Sequence, residues 1–249
     1  MQPKPFRIGA GIGITFAGYT EETDSQINRY LNALTYSLNG QIKKGSFLHS
    51  FNVLFFMGEA HVWRDIRQFH EDYRYMTFRG FGEYALGYRL WSVRGLDTFP
   101  GWLGGNLRAD FHYFYDTSHN MDIPRMTALF SLGVHATQKW LIDSRQTLSL
   151  AAGIPLLTYA VRPPFAGADE RWQKYAAENN LRRLLRLGKF AGIHNYWAIH
   201  GNLNYHYVFT PLISLYSALG FEFSHINIPK GRPRRDAVFT LGAGFTFTF

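Results

Sequence analysis

The stretch Ala237–Phe249, AVFTLGAGFTFTF, separates into two interleaved sets. Ala237, Phe239, Leu241, Ala243, Phe245, Phe247 and Phe249 form one; Val238, Thr240, Gly242, Gly244, Thr246 and Thr248 form the other. A period of two is that of a β-strand with one apolar face and one small, mostly polar face. A soluble strand turns its phenylalanines to a core, whereas a membrane strand turns them to lipid. The rest of the chain decides between the two.

The pattern recurs nine times before the end. From Phe6, FRIGAGIGITF sets Phe6, Ile8, Ala10, Ile12, Ile14 and Phe16 against Arg7, glycines and Thr15. YLNALTYSLNGQI from Tyr30 and FLHSFNVLFFMG from Phe47 follow. FGEYALGYRLW puts Glu83 and Arg89 on the small face, and NLRADFHYFY puts Arg108, Asp110 and His112 there. MTALFSLGVHATQK adds His135 and Lys139, IHNYWAIHGNLNYHYVF adds His194, His200 and His206, and LISLYSALGFEF adds Glu222. TLSLAAGIPLLTYA is the weakest, because Pro155 fits only an edge or a bulge.

Aromatics make up 17% of the chain, yet mean hydropathy is −0.19. No run approaches the roughly 18 apolar residues of a transmembrane helix. Alternating strands dilute their apolar residues, so this combination points to a transmembrane β-barrel. The absence of cysteine removes disulfides and thiolate metal sites. A net charge of +8 suits anionic surfaces. Nucleic acid is not expected, since its platform of water-facing aromatics is here committed to lipid. The opening MQPKPFRIGAG has no basic stretch followed by an apolar one, so the numbering is expected to be that of a processed or engineered chain.

Connections sort by parity. Those after the even segments are short (KKGS, RGLDTFPG, DSRQ, TP), and the longer ones, 64–76 and 162–189 among them, follow odd segments. A soluble sandwich or lipocalin-like barrel would also alternate, but its exposed face would then consist of Gly and Thr. The expected fold is one domain over 1–249, a ten-stranded antiparallel transmembrane barrel with short periplasmic turns, periplasmic termini and a helix in the long extracellular loop 162–189. The terminal GAGFTFTF resembles the closing strand of bacterial outer membrane β-barrel proteins. That resemblance implies a Gram-negative outer membrane and recognition of Phe245, Phe247 and Phe249 by the barrel-assembly machinery.

Several constellations bear on chemistry. Arg7, Glu83, Arg89, Arg108, Asp110, Lys139 and Glu222, with His135, His194, His200 and His206, are expected in the lumen as a paired network, because single buried charges are costly. His200 and His206 stand roughly 20 Å apart along one strand, too far to share a metal whose ligands lie at about 2 Å. No metal or other cofactor is expected. Asp110 and His112, with Asp116 beyond them, are similar to the Asp-x-His pair of the omptin outer-membrane proteases, in which a carboxylate orients a general base. Omptins also need a second acidic pair, and no Asp-x-Asp matches it. His49 and Ser50 fall on opposite faces, which does not suit a lipid hydrolase.

In the long loop, a helix capped by Asp169 and ending near Gly188 would carry Trp172 and leucines on one stripe, with Arg182, Arg183 and Arg186 off it. It is expected to lie on lipopolysaccharide, cap the lumen, dock a partner or fold over the barrel mouth. Lys230, Arg232, Arg234 and Arg235 add a second basic loop on that side. The resulting expectation is an accessory subunit that holds a partner protein or surface polymer by its loops. A narrow channel and a hydrolase are the alternatives.

Overall fold

The computed structural model describes residues 6–22, 26–62, 74–93, 96–116, 125–162, 174–175, 178, 181–228 and 233–249. Among the described residues the strands are β1 (Phe6–Glu22), β2 (Gln26–Lys44), β3 (Phe47–Val62), β4 (Arg74–Val93), β5 (Leu96–Asp116), β6 (Arg125–Leu141), β7 (Gln146–Val161), β8 (Lys189–Gly192), β9 (Tyr196–Val208), β10 (Ile213–Ile226) and β11 (Arg234–Thr248), with a short helix α1 (Leu181–Leu185). β1 pairs with both β2 and β11, β6 with β7, and β7 with β9, so ten strands close an antiparallel barrel. The closing seam runs from Arg7 opposite Thr248 to Glu21 opposite Arg234. At its terminal end Phe249 N donates to Phe6 O at 3.0 Å, and the two rings lie 6.0 Å apart.

β8 exists because the strand expected over 193–209 is broken. β9 pairs with Gln146–Gly153 of β7, β8 with Leu157–Ala160 of the same strand, and residues 193–195 turn between them. His194 is exposed in that turn, outside the lumen where the alternation had put it. On the other edge of β7, Pro155 sits beside a register shift opposite Leu132 and Gly133, a bulge that tolerates its missing N–H.

The exposed face is the apolar one. On β1, Ile12, Ile14 and Phe16 are exposed while Thr15, Ala17 and Tyr19 are buried; on β11, Phe239, Leu241, Phe245 and Phe247 are exposed while Val238 and Thr246 are buried. A continuous apolar belt of this size requires lipid against it. The strands, 13 to 21 residues for those closing the barrel, exceed the roughly 9–11 that cross hydrocarbon. Their excess changes two expected connections: LDTFPG belongs to β5 instead of a turn, and the β3–β4 connection ends by Arg74.

Short turns gather at the terminal end. Gly45 takes a φ of +60° between β2 and β3, which a side chain would oppose. Asp143 Oδ1 accepts from the backbone of Arg145 and Gln146 (2.6 and 2.7 Å) between β6 and β7. At the opposite, loop end, Leu184 of α1 is buried with Met126, Ala128 and Val161. Tyr159 on the same outer face donates from its hydroxyl to Leu185 O at 2.8 Å. The helix therefore lies on the outer wall of β6 and β7, not across the mouth, and this explains why Met126 and Ala128 are buried although their phase points outward.

Candidate functional site

The loop half of the lumen is built from side chains on facing walls. Arg79 (β4) donates through Nε and Nη2 to the two carboxylate oxygens of Asp110 (β5) at 3.1 and 2.6 Å, and through Nη2 to Glu222 Oε1 (β10) at 2.5 Å. Arg108 (β5) bonds the other oxygen of Glu222 and lies 3.3 Å from Asp110 Oδ2. Arg234 (β11) holds both oxygens of Asp236 at 2.7 Å and reaches across to His112 Nδ1 on β5. Arg79 Nη1 stands 3.8 Å from Asp236 Oδ2, linking the two groups. With β4 and β10 five places apart around a ten-strand ring, these bonds span the barrel.

Glu83 extends the network along β4. Its Oε2 lies 2.7 Å from His200 Nε2 (β9) and 4.0 Å from Arg108 Nη1, and its Oε1 lies 3.1 Å from His135 Nδ1 (β6). Gly153 makes room: a Cβ there would lie 2.5 Å from His200 Nε2. Apolar side chains pack around the charges, with Tyr19, Leu31, Phe56 and Phe114 on one side and Leu129, Tyr196, Ile226 and Ile228 on the other. Buried charges are tolerated only when paired and bonded in this way.

The terminal half differs. It holds a cavity of about 150 Å³, roofed by Glu83, Arg108 and Glu222 and lined further down by Arg7, Gln41 and Thr246. Lys139 Nζ donates to Gln41 Oε1 at 2.7 Å, a bond from β6 to β2 across the lumen. Ser37 and Tyr216 hydroxyls meet at 3.0 Å, and the Tyr216 ring lies 5.8 Å from that of His206.

The structure brings Glu83, Arg108, Asp110, His135, His200 and Glu222 together as expected from the alternation. Arg7, Arg89, Lys139 and His206 lie on the lumen phase at the terminal half, apart from that cluster. Asp110 and His112 are neighbours in the same half but do different work. Asp110 is engaged by Arg79 and Arg108, and His112, 2% exposed, packs on Phe114 at 3.9 Å and on Tyr19 at 4.7 Å. The side chain of Asp116 lies outside the described residues. Arg234 is a correction: expected on the loop surface, it is 6% exposed and bonded within the lumen, because β11 begins at Arg234 and the residue takes the inward phase. Arg182, Arg183, Arg186 and Arg235 are exposed, Arg183 with Glu178 at 3.2 Å. Trp172, Lys230 and Arg232 lie outside the described residues. Arg79 and Asp236 were missed: Arg79 lies between the connection read as ending at 76 and the strand read from Phe81, and Asp236 in the loop read before Ala237. Their signal was available: the period of two continues back from Phe81 to Arg79 and from Val238 to Asp236.

No family model and no curated protein matches the sequence. Among solved structures the chain is similar to the outer membrane protease OmpT from Escherichia coli, with a TM-score of 0.64 and 9% identity over 100% of this chain and 98% of that one. Neisserial surface protein A (TM-score 0.38, 11% identity, 98% and 97% covered) and the translocator domain of the autotransporter NalP from Neisseria meningitidis (0.42, 9%, 100% and 90%) are also similar. The fold is that of the bacterial outer membrane β-barrels.

Proposed function

We propose that the protein is an outer-membrane barrel with a closed lumen, acting as an accessory subunit that holds a partner protein or surface polymer at its loop end. Its termini face the periplasm, and Phe245, Phe247 and Phe249 serve the barrel-assembly machinery. The observation that carries this reading is the network from Arg79 and Arg108 to Glu222, which ties opposite walls together where an open channel needs unfilled space. A protease of the OmpT kind needs a carboxylate and a histidine free to work on water, and here Asp110 is committed to two arginines. What remains accessible is the outer surface of the loop end. There α1 is anchored by Leu184 and presents Arg182, Arg183 and Arg186, with Lys189 and Phe190 just beyond. Such a basic, aromatic-edged face at the upper rim of an apolar belt suits lipopolysaccharide phosphates or an acidic partner.

The test is gentle detergent extraction from the native membrane, followed by size-exclusion chromatography and identification of every co-eluting chain and lipid. A stoichiometric companion lost in Arg182→Glu/Arg186→Glu is the expected result. A barrel that elutes alone, free of protein and lipopolysaccharide, would overturn the reading.

A further inference from the structure

Three buried cations of the loop half, Arg79, Arg108 and Arg234, each bond a carboxylate. Arg7 and Lys139 in the terminal half have no carboxylate partner among the described residues. Gln41 joins the two, lying opposite Arg7 in the β1–β2 register and accepting from Lys139 at 2.7 Å, while the carboxylates that touch the cavity, Glu83 and Glu222, sit in its roof beside Arg108. Lys43 shares the inward phase of Gln41 on β2 and is exposed at the strand end, so the mouth is cationic as well. Thr246, 2% exposed, faces this space with an unpartnered hydroxyl, and His206 Nδ1 is unpartnered too.

From this we infer that the terminal-half cavity binds a small oxyanion, of phosphate or short-chain carboxylate type, at Arg7, with Lys139 brought to its edge by the bond to Gln41. Two half-buried cations without a carboxylate favour a counter-charge. An oxyanion supplies one, and it accepts charge-assisted bonds from a guanidinium and an ammonium together. At about 150 Å³ the space equals about five waters at roughly 30 Å³ each, enough for one such anion with residual water. Gln41, already accepting from Lys139, fixes the ammonium, and Thr246 and His206 supply further polar contacts. The site is independent of the loop-end reading, since it lies at the other end of the barrel.

The experiment is calorimetric titration of the detergent-folded barrel with sodium phosphate and with sodium acetate, against sodium chloride at matched ionic strength. The wild type is expected to bind phosphate or acetate saturably and in preference to chloride. Arg7→Gln and Lys139→Met should each weaken binding about tenfold or more, the loss of one bond to a charged group; Thr246→Val should weaken it less, and Arg145→Gln, exposed in the β6–β7 turn, should not change it. Heat-modifiable gel mobility establishes that each variant is folded, and if Arg7→Gln does not fold, Lys139→Met and Thr246→Val decide. No preference over chloride in the wild type, or wild-type binding in the folded lumen variants, would overturn the inference. An equal loss in Arg145→Gln would do the same.

Discussion

In the loop half of the lumen, Arg79, Arg108 and Arg234 meet Asp110, Glu222 and Asp236, with Glu83 joined to two histidines, and aromatic and aliphatic side chains close in around them. In the terminal half, Arg7 faces amides, hydroxyls and open volume, and Lys139 meets the Gln41 amide and the Trp102 ring. Both halves use the same inward phase of the same ten strands. The difference lies in which residue type occupies each inward step, and it teaches that barrel geometry alone does not decide whether a lumen is filled. Carboxylates facing arginines across the ring make a staple; cations facing small polar residues leave a cavity.

The comparison breaks most readily at the staple. Arg79→Ala strips Asp110 and Glu222 of a shared donor and should lower unfolding free energy by about 3–5 kcal/mol, the cost of a buried charge without its partner, measured by urea titration in lipid or detergent. If the loss is under about 1 kcal/mol, the buried pairing is not structural. Replacing the cluster together, Arg79→Met/Arg108→Met/Asp110→Leu/Glu222→Leu, should leave stability within about 2 kcal/mol of wild type or raise it, because the two arginines leave with the two carboxylates they bond, while Glu83 keeps its two histidines and Asp236 keeps Arg234. Gly153→Val should cost about 1–3 kcal/mol by pushing His200 off Glu83, and the same titration reads it. Lys139→Met should cost only about 1–2 kcal/mol, one hydrogen bond to Gln41 and the ammonium's contact with the Trp102 ring, which makes it the terminal-half counterpart to Arg79. Smallest is Arg182→Glu/Arg186→Glu on α1, within about 0.5 kcal/mol in stability, with its effect confined to what the loop end retains.

Most of the barrel was legible because period-two alternation reports directly on two solvents. The phenylalanines of β11 and the Asp110 phase of β5 fall where the alternation placed them. Pro155 announced a bulge by its chemistry. The staple was only half legible. Glu83, Arg108, Asp110 and Glu222 stood inside recognisable strands, whereas the outward glycines Gly80 and Gly82 interrupt the apolar signal beside Arg79, and Asp236 stood where the outward set turns polar. β11 shows this: outward Arg235 follows Phe239 and Ala237, yet pairing continues to Arg234. His194 was misplaced for a different reason, since nothing in IHNYW marks the turn that separates β8 from β9. The position of α1 was equally hidden. Its leucine stripe called for an apolar partner, and only the fold reveals that the partner is the outer wall at Met126 and Val161.

The most direct test of the closed lumen is single-channel recording of the purified wild-type barrel in a planar bilayer. The account predicts no discrete conductance steps across the wild-type protein while it remains heat-modifiable and folded. Reproducible steps in the wild type, reduced when Asn202 on the lumen face is replaced by Trp, would contradict it.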